Sequence, residues 1–350
     1  MFSSENFKEL VKNGSKVSRF VSFYGGNKVA CIGPEVSIIL NLFTEHDLDG
    51  VNLDIKKLSK IMAAWKDFQI TKEPETDRIL MLHENSMKVL ENVSLGVPGI
   101  ECIPEVKDPC YLLLKWFESY RSMSGFCDPK ERKPFMAGVN FYDNFDIMAT
   151  DGKRLFAHRT GAEEGSNKYP QVIPYNSVMD NITPNQCWLT ADGLWLTTDG
   201  FTYFVRKIDL VMSKMISYER VLPDYKTLSS SYFDCTFDSD FSKALKETQK
   251  FMKMDGVKGL LINNEGLGYK SLEVIDLREG SFVFKNKISV DVSTEEKFLL
   301  HINPAYLEAL LKTTGLTGKE ITLKINRENR APVYWEKDKD VCVLMPMQLS

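Results

Sequence analysis

Leu344-Met345-Pro346-Met347-Gln348-Leu349-Ser350 ends the sequence. Its chemistry asks for a partner, since two methionines and two leucines surround a proline where an untethered tail is normally polar. On its own the Met-Pro-Met run reads as an edge strand that Pro346 stops from pairing further, because proline has no N–H to give. Two other segments join turn residues to apolar ones in the same way: Ala149-Thr150-Asp151-Gly152-Lys153-Arg154-Leu155 and Val221-Leu222-Pro223-Asp224-Tyr225-Lys226-Thr227-Leu228. Each also has a plain reading. Asp151-Gly152 supplies the backbone angles of a tight hairpin, and Pro223-Asp224 opens a loop.

Composition sets the bounds. A chain of 350 residues predicts two or three domains. At 43% hydrophobic and 26% charged residues it reads as a soluble globular protein, neither disordered nor fibrous. No run of about 18 apolar residues occurs, so neither a membrane span nor a membrane partner is expected. Met1-Phe2-Ser3-Ser4-Glu5-Asn6 lacks the basic and then apolar regions of a secretory signal. The cysteines, Cys31, Cys102, Cys110, Cys127, Cys187, Cys235 and Cys342, are odd in number and never spaced C-x-x-C. That argues against a disulfide framework and a zinc site, and it fits a reducing cytoplasm.

A net charge of −4 argues against nucleic-acid binding until its distribution is read. A helix over residues 4–20 puts Phe7, Leu10, Val11, Gly14 and Val17 on one face and Lys8, Lys12, Lys16 and Arg19 on another. Residues 239–254 repeat the arrangement, with Phe241, Leu245 and Thr248 in one stripe and Lys243, Lys246, Lys250 and Lys253 in the other. A helix over 54–67 carries Lys56, Lys57, Lys60 and Lys66, and one over 108–123 carries Lys115 and Arg121. A single stripe of this kind is most simply a solvated surface. Several of them in an acidic protein imply one basic surface and a compensating acidic one.

An internal repeat predicts similar modules. Leu53-Asp54-Ile55-Lys56-Lys57-Leu58, Ile173-Pro174-Tyr175-Asn176-Ser177-Val178 and Ile302-Asn303-Pro304-Ala305-Tyr306-Leu307 each place an apolar strand end before a helix-start residue. Starts at Asp54, Pro174 and Asn303 imply a domain-sized duplication rather than a solenoid. Between them lie alternating runs broken by turns. The stretch 187–204, with Asp192-Gly193 and Asp199-Gly200, reads as a meander, and 259–269 and 320–325 have the same grammar. The expectation is an α+β protein of three modules, each an antiparallel sheet with two helices, over residues 1–105, 106–228 and 229–350.

Catalytic groups are scarce. His46, His83, His158 and His301 show neither H-x-x-x-H nor H-E-x-x-H spacing, and no phosphate-cradling G-x-x-x-x-G-K-[ST] or G-x-G-x-x-G turn occurs. Ser124-Gly125 and Ser166 lack the setting of a nucleophile elbow. The alternative function is a metal-dependent nucleic-acid-processing enzyme with a basic groove, using acids such as Asp151, Asp234 and Asp238. Turns and strand ends already explain those aspartates.

In order, spacing and position, the three apolar-and-turn segments resemble the bacterial-type DNA polymerase sliding clamp, the β subunit or processivity factor that encircles duplex DNA. The resemblance runs from about residue 107 to the end. Residues 1–105 match it weakly, through Ile32-Gly33-Pro34-Glu35-Val36-Ser37-Ile38, and the run from Gly25 to Phe43 is shorter than the family's. The resemblance implies three similar domains of two halves each, with helices facing inward and sheets outward, closed as a head-to-tail homodimer ring. It implies no catalysis and no cofactor. It implies double-stranded DNA, a DNA polymerase and a clamp loader as partners, met at the nucleoid in the cytoplasm, or in the host cytoplasm for a phage-encoded clamp.

Carried over residue by residue, it also implies a pocket for short hydrophobic peptides. Thr150, Gly152, Lys153, Arg154 and Leu155 with Met136 form one wall, Pro223 and Leu228 a second, and Pro332, Val343, Met345, Pro346 and Met347 the third. Methionines that repack around different ligands suit a shared docking site. The basic stripes would meet DNA, and Phe251 and Met252 would meet domain one of a second copy. Lys153 stands where the family usually has His and Gln348 where it has Arg, and Ser350 follows the leucine at which its members end.

Overall fold

The computed structural model describes residues 4–42, 45–65, 67–93, 100–163, 165–209, 218–222, 230–255, 260–264, 270–276, 281–287, 290–292, 299–327 and 331–347. In chain order its elements begin with α1 (Ser4–Gly14), β1 (Phe20–Tyr24), β2 (Lys28–Ile32), β3 (Val36–Asn41), β4 (Asn52–Asp54), α2 (Ile55–Ala64), β5 (Gln69–Lys72), β6 (Ile79–His83) and β7 (Ser86–Leu90). They continue with β8 (Cys110–Leu112), α3 (Leu114–Ser122), α4 (Pro134–Ala137), β9 (Gly138–Phe141), β10 (Ile147–Thr150), β11 (Arg154–His158), β12 (Gln171–Pro174), β13 (Gln186–Thr190), β14 (Gly193–Thr197) and β15 (Phe201–Arg206). The rest are β16 (Tyr232–Phe237), α5 (Phe241–Asp255), β17 (Leu260–Asn264), β18 (Lys270–Asp276), β19 (Ser281–Lys287), β20 (Val290–Val292), β21 (Leu299–Ile302), α6 (Pro304–Thr313), β22 (Ile321–Asn326), β23 (Val333–Lys337) and β24 (Asp340–Leu344).

Contacts divide the chain into two units, Met1–Arg121 with Asn167–Leu210, and Ser122–Ser166 with Val211–Ser350. In the first, an eight-stranded antiparallel sheet runs β4-β1-β2-β3-β15-β14-β13-β8. Its middle joint pairs β3 with β15, Val36 opposite Val205 and Ile38 opposite Tyr203, so one sheet joins strands far apart in sequence. Side chains alternate across it. One face gathers Ala30, Ile32, Ile39, Trp188, Trp195 and Phe204. The opposite face carries Cys31, against which α1 packs at Gly14. The helix buries Phe7, Leu10 and Val11, and the Phe7 ring stacks on Phe23 at 6.0 Å between centroids. A separate sheet, β5-β6-β7, ends at β7, where Met87 and Val89 are exposed.

The second unit holds eight strands in the order β9-β10-β11-β24-β23-β22-β16-β20 and a four-stranded sheet β19-β18-β17-β21. Strand β24 is an interior strand, paired with β11 on one side and β23 on the other. The Met345-Pro346-Met347 run lies just past this strand and is itself no edge strand. Phe156 sits between Phe126 (5.4 Å) and Trp335 (6.2 Å), and Phe237 meets Phe241 of α5 at 4.3 Å. Among the described residues no helix is long and apolar enough to cross a membrane.

Several element boundaries differ from the sequence expectation. Helix α1 stops at Gly14 instead of running to residue 20, which leaves Lys16 and Arg19 on the connection to β1. Glycine is a weak helix former, and Ser15 Oγ donates to the Lys12 carbonyl at 2.8 Å, satisfying an acceptor that the ended helix leaves open. The expected helix over 108–123 begins only at Leu114, because β13 draws Cys110–Leu112 into the sheet, with Tyr111 opposite Trp188. Helix α2 ends at Ala64, and Lys66 lies outside the described residues.

Two of the repeat's caps stand where expected. Asp54 Oδ1 accepts from the Lys56 and Lys57 N–H groups, and Asn303 Oδ1 from Ala305 N–H. The third is displaced: Pro174 ends β12, and the cap is Asn176, over the short 3₁₀ turn Ser177–Asn181.

Replacing Gly14 with Ala would put a Cβ 2.1 Å from Cys31 Sγ, itself fully buried. Gly14→Ala is expected to cost about 1–3 kcal/mol in urea unfolding. Adding Cys31→Ala should recover part of that loss, and strict additivity of the two changes would exclude the contact.

Candidate functional site

The hairpin between β10 and β11 is locked by its own side chains. Thr150 Oγ1 donates to the Arg154 carbonyl (2.7 Å) and accepts from Gly152 N–H (3.0 Å). Asp151 Oδ1 accepts from the Lys153 and Arg154 N–H groups at 2.9 and 3.0 Å, while Oδ2 takes Arg154 Nε at 2.9 Å. Gly152 has φ +82°, and a Cβ there would stand 2.9 Å from Met136 Cε, so Met136 lies over the turn. The Arg154 guanidinium rests on the rings of Tyr306 (4.9 Å) and Phe126 (5.4 Å). Paired with Asp151 and packed against two rings, Arg154 braces the turn.

The tail runs beside this hairpin. Leu155 opposes Val343 and Arg154 opposes Leu344, and Met345 N–H then donates to the Lys153 carbonyl at 2.8 Å. Val333 pairs with Leu344 from the other side, so Pro332 falls one step beyond, next to Met345. Leu155 and Val343 are buried in the floor. Met345 is exposed, and Met136, Pro332, Pro346 and Met347 are half-buried.

Pro223 and Leu228 of the second wall lie outside the described residues, but the approach to them is described. Leu222 packs on a cluster of Met148, Leu155, Ala157, Tyr218, Tyr334 and Val343. Tyr334 donates its hydroxyl to the Val221 carbonyl at 3.0 Å. Tyr218 donates to the buried Asp146 carboxylate at 2.6 Å, and that carboxylate also accepts from Thr160 N–H at 2.7 Å. Burial, reinforced by Asp146, pushes the Tyr218 hydroxyl well above its usual range, so it stays a neutral donor.

No protein-family model matches the sequence, and no curated protein matches it by sequence. In structure the chain is similar, over nearly its whole length, to bacterial clamps. One is the DNA polymerase III subunit beta from Pseudomonas aeruginosa, at 16% identity and a TM-score of 0.75, covering 99% of this chain and 98% of that one. The DNA polymerase sliding clamp from Bacillus subtilis shares 14% identity at a TM-score of 0.77, with the same coverage. The C. crescentus beta sliding clamp, with polyethylene glycol bound to its proposed beta-motif tethering region, shares 16% identity at 0.77, covering 99% of this chain and 97% of that one. The fold is the sliding-clamp fold.

Within this clamp fold the expected basic positions divide. Lys12, Lys16, Arg19, Lys57, Lys60, Lys115, Lys243, Lys246 and Lys250 are exposed, and Lys8 is half-buried with its ammonium 5.8 Å from the Phe68 ring centroid. Some are engaged internally. Lys57 pairs with Glu91, Arg19 pairs with Asp54 at 3.3 Å, and Arg121 donates to the Ile182 and Asp180 carbonyls at 3.2 and 3.4 Å. Lys253, Phe251 and Met252 lie on α5, with side chains outside the described residues.

Among the described residues no group of three or more His, Cys, Asp or Glu side chains is placed to hold a metal ion. Asp151 is committed to its turn, Asp234 pairs with Lys324 at 3.1 Å, and Asp238 accepts from Asp240 N–H.

Tyr306, Tyr218, Asp146, Tyr334 and His301 support the hairpin, the 218–222 segment and the tail without any local sequence signal. His301, on β21, is 3% exposed. Its carbonyl accepts from Met347 N–H at 2.8 Å, and its Nδ1 lies 3.2 Å from the Met347 carbonyl. A carbonyl only accepts, so Nδ1 carries the proton. Burial holds this imidazole below its usual range, against the opposing pull of that carbonyl.

Above its ordinary value of 6.5 the ring is neutral whether the chain is folded or not. As pH falls through 6.5 the unfolded chain binds its proton first, and stability is lost until the folded ring titrates too. The melting temperature is therefore expected to drop between about pH 8 and 5.5, and to drop less in His301→Asn. Equal drops would show that the ring is not held neutral.

Proposed function

We propose that this chain is a DNA sliding clamp, a non-catalytic ring that encircles duplex DNA and tethers a polymerase for processive synthesis. The observation that carries the reading is the clamp fold across 99% of the chain, supported by the pairing of the hairpin with the tail and by Leu222 packed beside them. A ring holds DNA by topology, so its lining needs only weak, screened attraction to phosphates. The exposed lysines of α1, α2, α3 and α5 suit that task.

Self-association as a head-to-tail homodimer fits the open sheet ends. Strands β7 and β19 each end a sheet, and pairing one copy's β7 with another's β19 would cover both. Between α2 and β7 runs a groove of about 370 Å³ with Leu58, Ile61, Val89 and Leu90 in its walls. Phe251 and Met252 of a second copy are the apolar pair we assign to it. The surface at Met136, Gly152, Leu155 and Met345 is the docking site for short hydrophobic motifs of the polymerase and clamp loader, and the protein works on DNA in the cytoplasm.

Loaded onto nicked circular DNA by its clamp loader, the protein is expected to stay bound through gel filtration and to be lost when the circle is cut. Charge reversal of Lys243, Lys246 and Lys250 together should weaken retention and flatten its salt dependence, each lost phosphate contact removing about one released counterion. Equal retention on linear and circular DNA would reject the ring.

Deleting residues 346–350 is expected to weaken binding of a Gln- and leucine-rich peptide about ten-fold or more by fluorescence anisotropy. Undiminished affinity would place the docking site elsewhere.

A further inference from the structure

The tail carries two described backbone donors on either side of Pro346, which has none. Met345 N–H bonds to Lys153, next to β11, and Met347 N–H bonds to His301 on β21. The segment thus bridges two sheets of its unit with one hydrogen bond at each end. At Lys153 the bond simply continues a strand ladder. At His301, whose strand pairs with β17 on its other side, the imidazole supplies a second link, its Nδ1–H reaching the Met347 carbonyl at 3.2 Å. Carbonyl and side chain of one residue thereby grip N–H and C=O of another.

The ring is committed to this task, because it is 3% exposed and its Nε2 has no partner among the described residues. Strand alternation sets His301 on the opposite face of β21 from the buried Leu300 and Ile302. The imidazole is therefore not part of the apolar layer those two residues build.

We propose that His301 is a positioning residue for peptide docking: by gripping Met347 from two sides it fixes the Met345-Pro346-Met347 wall of the cleft before any ligand arrives. The inference rests on the docking role given above for that cleft. A wall already ordered spares an incoming peptide the entropy of ordering it.

Three measurements on the full chain test it. In the native protein, long-range ¹⁵N–¹H correlation of His301 should show the proton on Nδ1, and an Nε2–H tautomer would overturn the grip. In His301→Leu, amide exchange at Met347 should quicken about three- to ten-fold, the scale of one hydrogen bond, and His301→Asn, which keeps a donor, should restore slow exchange. Unchanged exchange in His301→Leu rejects the grip whatever peptides do.

Affinity for a fluorescein-labelled Gln- and leucine-rich peptide should fall in His301→Leu and recover in His301→Asn. Faster exchange with unaltered affinity would overturn the positioning role while leaving the grip. If the native protein binds no such peptide at all, it is the docking function that fails, and exchange at Met347 still reports on the grip. Should His301→Leu not fold, the tautomer and the exchange of His301→Asn against the native chain decide.

Discussion

Backbone pairing between strands far apart in sequence is the constraint on which everything else leans. β24 enters between β11 and β23, and Val343 faces Leu155 on one side and Tyr334 on the other. A single ladder bond contributes about 1 kcal/mol net, but the register it sets is all-or-none, since a slip of one residue would turn every side chain of β24 to the opposite face. That register brings Met345 to Lys153 and delivers the tail to His301. In the other unit the β3 to β15 pairing does the same work, joining two distant stretches of chain into one sheet.

What could be read from the sequence was what is local. The Thr150–Asp151–Gly152 turn bonds mostly to itself, and Asp54 and Asn303 cap helices whose first turns follow them directly. Boundaries failed where a distant partner intervened. β13 pulls Cys110–Leu112 out of a helical pattern, and Gly14, where α1 ends, lies against Cys31. The supports of the cleft were invisible for the same reason: Tyr218 reaches Asp146 across 72 residues, Tyr334 reaches Val221 across 113, and His301 reaches Met347 across 46. No window of sequence spans such distances.

Charge patterns were legible in part. Helical spacing located the lysine stripes, but it could not separate a lysine facing water from a cation already at work. Arg121 ties α3 to the carbonyls around Ile182, and Arg154 closes the hairpin with Asp151. Arg121 does so on a helix that also carries the exposed Lys115, and Arg154 directly after the exposed Lys153. The separation depends on which carbonyl or carboxylate the fold brings within about 3 Å, a property of tertiary structure alone.

The interleaving of the two units has a consequence for how such a chain can be divided and inherited. The chain leaves the first unit at Arg121, builds part of the second up to Ser166, and returns before leaving again. Severing it near residue 105 would strip β3 of its partner and bare Val36, Ile38 and Leu40 along an open edge, an invitation to aggregation. The long loop that must close before β3 meets β15 also makes this sheet slow to assemble. A recombination event falling between β3 and β15 would separate two strands of one sheet, so an exchange that keeps this sheet intact must carry both.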